Sequence, residues 1–478
     1  MTTRAVLDRA VHKKVKIAVD ARLAGTAATG VASYRRAVLA ALAIAGRTTM
    51  ALHDGSVGRF GVPSTRREAA SRWLSAWSSR PRRLLLKSYA GDGGDGAHAQ
   101  NCSAPKGEVS RRDAPTSHVP ARGAPAMDLL ACDPPALWRQ DVFRLAHIHF
   151  RRHGTLLRLT PPQPVGVMHW TYPIPAIVDG WINVHTVHDV IPLRRPDLSP
   201  IDADRLQACL LAIAARTDRI VTVSAWARRT ILDALVVPAD LVTDCGSGLA
   251  ELVGTRGVGT AYLPGTGESG RADSHPEERG DGILPYDLRP DGYLFFCGVI
   301  EPRKNLARLA GAWRVSGCGM PLVVAGPDGA HGGALRRELE RAGALVLPYQ
   351  DRPVLIDLIR NARALVLLSL EEGFGLPVAE AMALGTPVLT SDRGALQEIA
   401  GGAGLLVDPT DAPAIAEALR RIVADDVLRG ALVRRGLHRA EAFRPAAFGR
   451  RLTMLYDRLI DARIADGVWP ELETAGER

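Results

Sequence analysis

From residue 292 to residue 391 the chain repeats one unit, a short Val- and Leu-rich run followed by a helix-sized connection. The runs are GYLFFCGV (292–299), PLVVAG (321–326), ALVLP (344–348), ALVLLS (364–369) and PVLTS (387–391). The stretches between them predict helices from about residue 305 and over 332–342, 352–361 and 377–384. No hairpin signal intervenes, and the runs are apolar throughout instead of alternating. Strands read this way when helices bury both faces of a parallel sheet. The pattern predicts a doubly wound α/β domain, which takes its ligand in a crevice at the carboxyl ends of the strands.

The amino-terminal half predicts a second, less regular domain of the same kind. VKIAVD (15–20) reads as a buried strand, AGTAATG (24–30) as a Gly-rich turn and residues 31–45 as a helix. The alternation resumes with VGVMHW (165–170), VHTVHDVIPL (184–193), a helix over 202–216, RIVTVS (219–224) and a helix over 225–235. Between these parts, residues 55–136 are rich in Ser, Arg, Gly and Pro and lack apolar periodicity, so a disordered insertion is expected there. Residues 246–289 read as a Gly-rich linker. The expected organisation is an amino-terminal Rossmann-like domain over 1–245, a carboxyl-terminal one over 290–455, and a terminal helix and tail over 456–478 placed to pack back on the first. A ligand is expected in the cleft between the two domains.

Composition limits the partners. The 478 residues are 46% hydrophobic and 23% charged, which excludes disorder throughout, collagen and a disulfide-stapled mini-protein. The net charge of +9 is carried almost wholly by arginine, with 54 Arg and 6 Lys against 51 acidic residues. That balance suits nucleic acid, an anionic lipid surface or a small phosphorylated ligand. The arginines are dispersed, with no reading helix or aromatic platform, which counts against nucleic acid. The six cysteines form no C-x-x-C pair, so neither a zinc ribbon nor a redox motif is expected. Isolated thiols, no signal-peptide core and no apolar run of spanning length predict a cytoplasmic protein whose membrane contact would be peripheral.

Two segments carry chemistry. SLEEGFGLPVAEAMALG (369–385) places Glu372 before a turn of Gly373, Phe374, Gly375 and Leu376, with Glu380 about one helical turn beyond. A Gly-flanked turn opening a helix is a preformed anion site, and acids beside it suit the hydroxyls of a sugar or ribose. The same residues would also serve as a helix start with incidental acids. GVIEPRKN (298–305) sets Arg303 and Lys304 side by side after a strand. An adjacent guanidinium and ammonium there can neutralise a diphosphate. A solvated helix start is the alternative.

Together these segments resemble the nucleotide-sugar-binding domain of retaining glycosyltransferases of family four, which have the GT-B fold. The family pattern is a strand, a glycine and Glu-Pro-Arg-Lys-Asn, then about seventy residues later Glu-Gly-Phe-Gly-Leu-Pro with a second Glu. The segment 391–411, SDRGALQEIAGGAGLLVDPTD, resembles the family's closing stretch. One departure is Leu368 before Ser369, where the family usually has proline. The resemblance implies that Arg303 and Lys304 neutralise the donor's diphosphate and Glu372 binds hydroxyls of the transferred sugar. It further implies that the backbone of 373–376 approaches sugar and phosphates, and that Glu380 holds the ribose.

The amino-terminal half is more loosely similar to a mannosyltransferase-like branch of the same family. DARLAGTAATGVASYRRAVLAAL (20–42) would bring Gly30 to the cleft, and TVHDVIPLRRPDLS (186–199) would bring His188 to the anomeric carbon. Asp189 would either orient that imidazole or cap the turn after it. His169, Trp170 and Tyr172, in HWTYPIP, would line the acceptor side or else pack beneath the sheet. His147, His149 and His153 read as incidental, the first two sharing one strand face. No Asp-x-Asp dyad ends a strand in the cleft, so neither a metal nor another cofactor is expected.

The implied activity is transfer of a hexose, mannose from GDP-mannose first, to a lipid-linked oligosaccharide or polysaccharide at the inner face of the cytoplasmic membrane. UDP-glucose or another nucleotide sugar is the alternative donor. A GT-B epimerase or phosphorylase and a non-catalytic sugar-nucleotide binder are the competing classes. The phosphorylase lacks a cofactor lysine, because Lys304 is the only lysine beyond residue 106.

Overall fold

The computed structural model describes residues 12, 15–22, 30–53, 84–85, 87–89, 136–139, 141–249, 252 and 285–469. Most of the expected insertion, most of the expected linker, the turn at 23–29 and the tail from 470 lie outside the described residues.

In chain order the strands are β1 (Ile17–Asp20), β2 (Thr49–His53), β3 (Leu84–Leu85), β4 (Lys87–Tyr89), β5 (Ala136–Trp138), β6 (Leu157–Thr160), β7 (Val167–Trp170), β8 (Ala176–Val178), β9 (Ile182–Thr186), β10 (Arg219–Thr222) and β11 (Val242–Asp244). There follow β12 (Leu294–Cys297), β13 (Leu322–Ala325), β14 (Leu345–Leu347), β15 (Ala364–Leu367), β16 (Val388–Ser391) and β17 (Leu405–Val407). The carboxyl-terminal sheet is six-stranded and parallel, in the order β14-β13-β12-β15-β16-β17. Strands β12, β13, β15 and β16 are buried at every residue, as their apolar runs require. Each fully buried Leu, Ile, Val or Phe side chain contributes about 1.5–3 kcal/mol relative to exposure.

The strand order determines where a ligand can sit. From β12 the chain steps outward through β13 and β14, then returns to lay β15 on the other side of β12. Connections after β12 and β15 therefore leave the sheet in opposite directions and open a crevice between them. Residues 298–305 follow β12 and residues 368–376 follow β15, so both chemical segments flank this one crevice.

The amino-terminal sheet has the order β11-β10-β9-β7-β1-β2-β5-β4, parallel except for β4 against β5. Its reversal lies between β1 and β7. Strands β3, β6 and β8 form a small separate sheet. The short strands β3 and β4 fall inside the stretch expected to be disordered, where local sequence carries no apolar period to announce them. A second difference is Val142–His153, a helix and not the strand expected around His147 and His149. Its buried residues are Val142, Phe143, Ala146 and Phe150, the last three spaced three and four residues apart.

The helix Pro445–Ala465 packs back on the amino-terminal half. Phe448, Leu452, Leu455, Tyr456 and Leu459 join one core with Tyr34, Val38 and Leu42 from the helix Gly30–Ile44. Close approach of the two helices needs Gly449, because a Cβ there would stand 2.6 Å from the Ala41 carbonyl oxygen. Among the described residues no helix is long and apolar enough to cross a membrane.

Candidate functional site

Glu372 is the centre of the site. Its carboxylate accepts from Arg303 Nη1 at 2.7 Å through Oε2 and from Lys304 Nζ at 2.5 Å through Oε1. Arg303 also donates to Glu301 at 2.6 Å and to the Glu371 carbonyl at 2.9 Å. Two cations and two carboxylates thus form a neutral, largely buried cluster across the sheet's reversal. Burial pushes the Glu372 carboxyl up, but Arg303 and then Lys304 outweigh it and hold the pKa at about 2. Glu372 is therefore a carboxylate across the physiological range.

Local backbone explains how the cations arrive there. Pro302–Lys304 is a single 3₁₀ turn, and Asn305, at φ 60°, starts the next helix while its Nδ2 donates to the Pro409 carbonyl at 2.6 Å. After β15, Gly375 at φ 104° opens the helix Leu376–Ala383. The Gly375 carbonyl accepts from Val378 and Ala379 at 3.0 and 3.3 Å, and Pro377 has no N–H to leave unpaired. Amide groups of the preceding turn stay outside the helix's own bonding. Glu380 lies one turn further on, 2% exposed, with Oε1 accepting from Arg352 Nη2 at 2.6 Å.

From the amino-terminal half, His188 follows β9. Its Nε2–H donates to the Thr171 carbonyl at 2.9 Å, and Tyr34 packs edge-on against the ring with centroids 4.9 Å apart. Thr171 is itself fixed by Asp20 at the end of β1, which accepts from the Thr171 N–H at 2.5 Å and hydroxyl at 2.8 Å. With Nε2 protonated, the neutral ring keeps an acceptor at Nδ1. Burial lowers the pKa of His188, opposed by the Thr171 carbonyl and Asp189. Asp189 caps the following turn, its Oδ1 accepting from the Ile191 N–H at 3.1 Å.

A cleft of about 410 Å³ joins these parts. It is lined by Gly30 and His188 with Asp189 from one half, and by Arg303, Lys304, Glu372, Gly373, Phe374, Gly375, Leu376 and Glu380 from the other. The halves touch at Gly373, where a Cβ would stand 2.3 Å from the His188 carbonyl oxygen. Further lining groups not apparent from sequence include Arg352, Tyr349 and Cys297. Burial, reinforced by Glu380, holds the Cys297 thiol up at about 12, so it is not a nucleophile at neutral pH.

Three expected acceptor-side residues lie elsewhere. His169 and Trp170 are fully buried in β7 and cannot meet an acceptor. Tyr456 and Thr186 hydrogen-bond the two His169 ring nitrogens at 2.5 and 2.7 Å, and burial lowers the pKa of His169 to about 3. Trp170 stacks on His185 and donates to Asn183 Oδ1 at 3.3 Å. Tyr172 is half-buried against that core, with the Arg22 guanidinium 5.3 Å from its ring centre, and does not line the cleft. Both faces of this strand are covered, so an apolar run gives no sign of which side chain faces a ligand. His147, His149 and His153 do not line the cleft either, and stand on the helix described above.

Residues 289–439 match the model of the glycosyl transferases group 1 family. Over 273 residues the chain is 31% identical to O-antigen chain mannosyltransferase B of Escherichia coli, covering 54% of this chain and 66% of that one. It is 25% identical over 269 residues to the serotype-specific mannosyltransferase WbdA of Escherichia coli, covering 54% of this chain and 31% of that one. The chain thus spans just under two thirds of the first relative and about a third of the second. Sucrose-phosphate synthase from Thermosynechococcus elongatus superimposes with a TM-score of 0.58 at 18% identity, over 94% of this chain and 100% of that one. That likeness is one of fold.

Proposed function

Because the chain belongs to the group 1 glycosyltransferases, which have the GT-B fold, we propose that it transfers mannose with retention from GDP-mannose to a lipid-linked oligosaccharide or polysaccharide acceptor. One observation carries this reading: the Arg303–Glu372–Lys304 cluster sits at the sheet's reversal and faces His188 across the cleft. The choice of mannose is supported by the two mannosyltransferases that the chain resembles.

In this reading the donor's diphosphate displaces part of the cluster's internal pairing. Arg303 offers a planar fork and Lys304 a point charge to the phosphate oxygens, and the turn before Leu376 adds backbone N–H groups. Charge grows on the diphosphate as the glycosidic C–O bond breaks, so groups already fixed there favour the transition state over the bound donor. Glu372 accepts from hydroxyls of the transferred sugar, and Glu380, held by Arg352, accepts from the ribose. Attack by the acceptor hydroxyl on the face the diphosphate leaves gives retention, and the acceptor's proton passes to a departing phosphate oxygen. Neutral His188 presents Nδ1 as an acceptor beside the anomeric carbon and positions the sugar. The acceptor approaches from the amino-terminal half, at an anionic membrane surface.

A thermal-shift panel of GDP-, UDP- and ADP-sugars tests the reading, since a ligand that binds only the folded chain raises its melting temperature. A selective rise with GDP-mannose is expected. A selective rise with UDP-glucose would replace the donor, and no rise with any of them would remove the reading. Glu372→Ala and Lys304→Ala should each abolish transfer while leaving the fold intact.

A further inference from the structure

A contact between the two halves lies outside the cleft lining. Glu398, in the helix Gly394–Ala400 of the carboxyl-terminal half, reaches the first turn of the helix Ala225–Ala234 in the other half. Its Oε1 accepts from the Ala225 N–H at 2.8 Å and its Oε2 from the Trp226 N–H at 2.7 Å. Those are two of the N–H groups that a helix start leaves unpaired, at the end where the helix dipole favours negative charge. The N-cap residue of the same helix, Ser224, is 1% exposed and also reaches across, donating from Oγ to the Gly373 carbonyl at 2.6 Å. Trp226 lies against Gly394, where a Cβ would be 3.4 Å from the ring. Arg439 donates to the Glu398 and Ile399 carbonyls at 2.8 and 3.1 Å and so steadies the helix that carries the carboxylate.

One helix start therefore binds the opposite half at two points. The first is Glu398. The second is Gly373, next to Glu372 in the turn already described. Separating the halves would break both, and would also withdraw the His188 carbonyl from Gly373. We infer that Glu398 is a positioning residue for transfer: by capping the helix Ala225–Ala234 it holds the cleft closed and keeps His188 in register with the Glu372 turn. This rests on the transfer reading for its kinetic consequence, while the capping itself does not.

The test compares the full chain with Glu398→Ala and Glu398→Gln, and with Ser224→Ala from the other side. Glu398→Ala should speed amide hydrogen exchange at Ala225 and Trp226 about tenfold and lower turnover of GDP-mannose by about the same factor, as loss of a helix cap would. The affinity for GDP should stay within about twofold, because Glu398 does not line the cleft. Glu398→Gln, which keeps one acceptor oxygen, should fall between Ala and the parent. Parent-like exchange and turnover in Glu398→Ala would overturn the inference. So would a loss of GDP affinity in step with turnover, which would make the residue merely structural. If the parent chain turned over no GDP-mannose, the transfer reading would fail, and amide exchange would still decide whether Glu398 is the cap.

Discussion

Replacing Glu372 by Gln preserves its volume and one acceptor oxygen but removes the charge that faces Arg303 and Lys304. The side chain is only 10% exposed and the cations 19% and 11%, so solvent screens these contacts weakly. The Glu372 carboxyl is held at about 2 against an ordinary value of 4.5. At about 1.4 kcal/mol per pH unit, that difference gives the ionised carboxylate about 3 kcal/mol of folding stability. The folded value is the lower one, so this contribution is complete above about pH 4.5 and fades as the pH falls toward 2. Glu372→Gln should therefore be less stable by about 3 kcal/mol at neutral pH, and a substantial part of the gap should be gone at about pH 3.5. Urea unfolding of both proteins at the two pH values, followed by circular dichroism, measures it. Turnover should fall sharply while GDP affinity does not, because Arg303 and Lys304 remain and lose a competing carboxylate. A stability gap that does not change with pH, or none at all, would refute the electrostatic account of the cluster.

Two other substitutions probe the contact between the halves. Gly373→Ala puts a Cβ 2.3 Å from the His188 carbonyl oxygen, so the halves must separate; turnover should drop by about a hundredfold or more, read by steady-state kinetics, with only a small change in melting temperature. Burial lowers the pKa of His188, so inhibition by protonation should set in below the usual histidine range. A kcat/KM profile in the parent whose acid limb lies below that range, with His188→Ala lower throughout at unchanged GDP affinity, is the expected result.

Much of the site was legible in sequence because its parts are local. Gly375 and Pro377 announce a helix start, and Arg303 and Lys304 follow a strand that its apolar run reveals. What sequence missed depends on long-range pairing. Arg352 meets Glu380 across 28 positions and Glu398 meets Trp226 across 172, with no local pattern marking either. Asp20 and Thr171, which orient His188, are 151 positions apart. In β7 the burial of both faces erased the alternation that would have shown His169 and Trp170 to be interior. The helix Val142–His153 was not legible because its histidines and arginines interrupt the apolar pattern, leaving Phe143, Ala146 and Phe150 to carry the helical spacing.

If Arg303 and Lys304 hold the diphosphate of a nucleotide sugar at the sheet's reversal, binding of a nucleoside diphosphate depends on both. Calorimetric titration of GDP into the parent chain and into Lys304→Ala and Arg303→Ala tests it without needing the acceptor. Saturable one-site binding to the parent is expected, with a loss of about tenfold to a hundredfold in each variant from removal of one charge-assisted contact. Equal affinity in all three would contradict it.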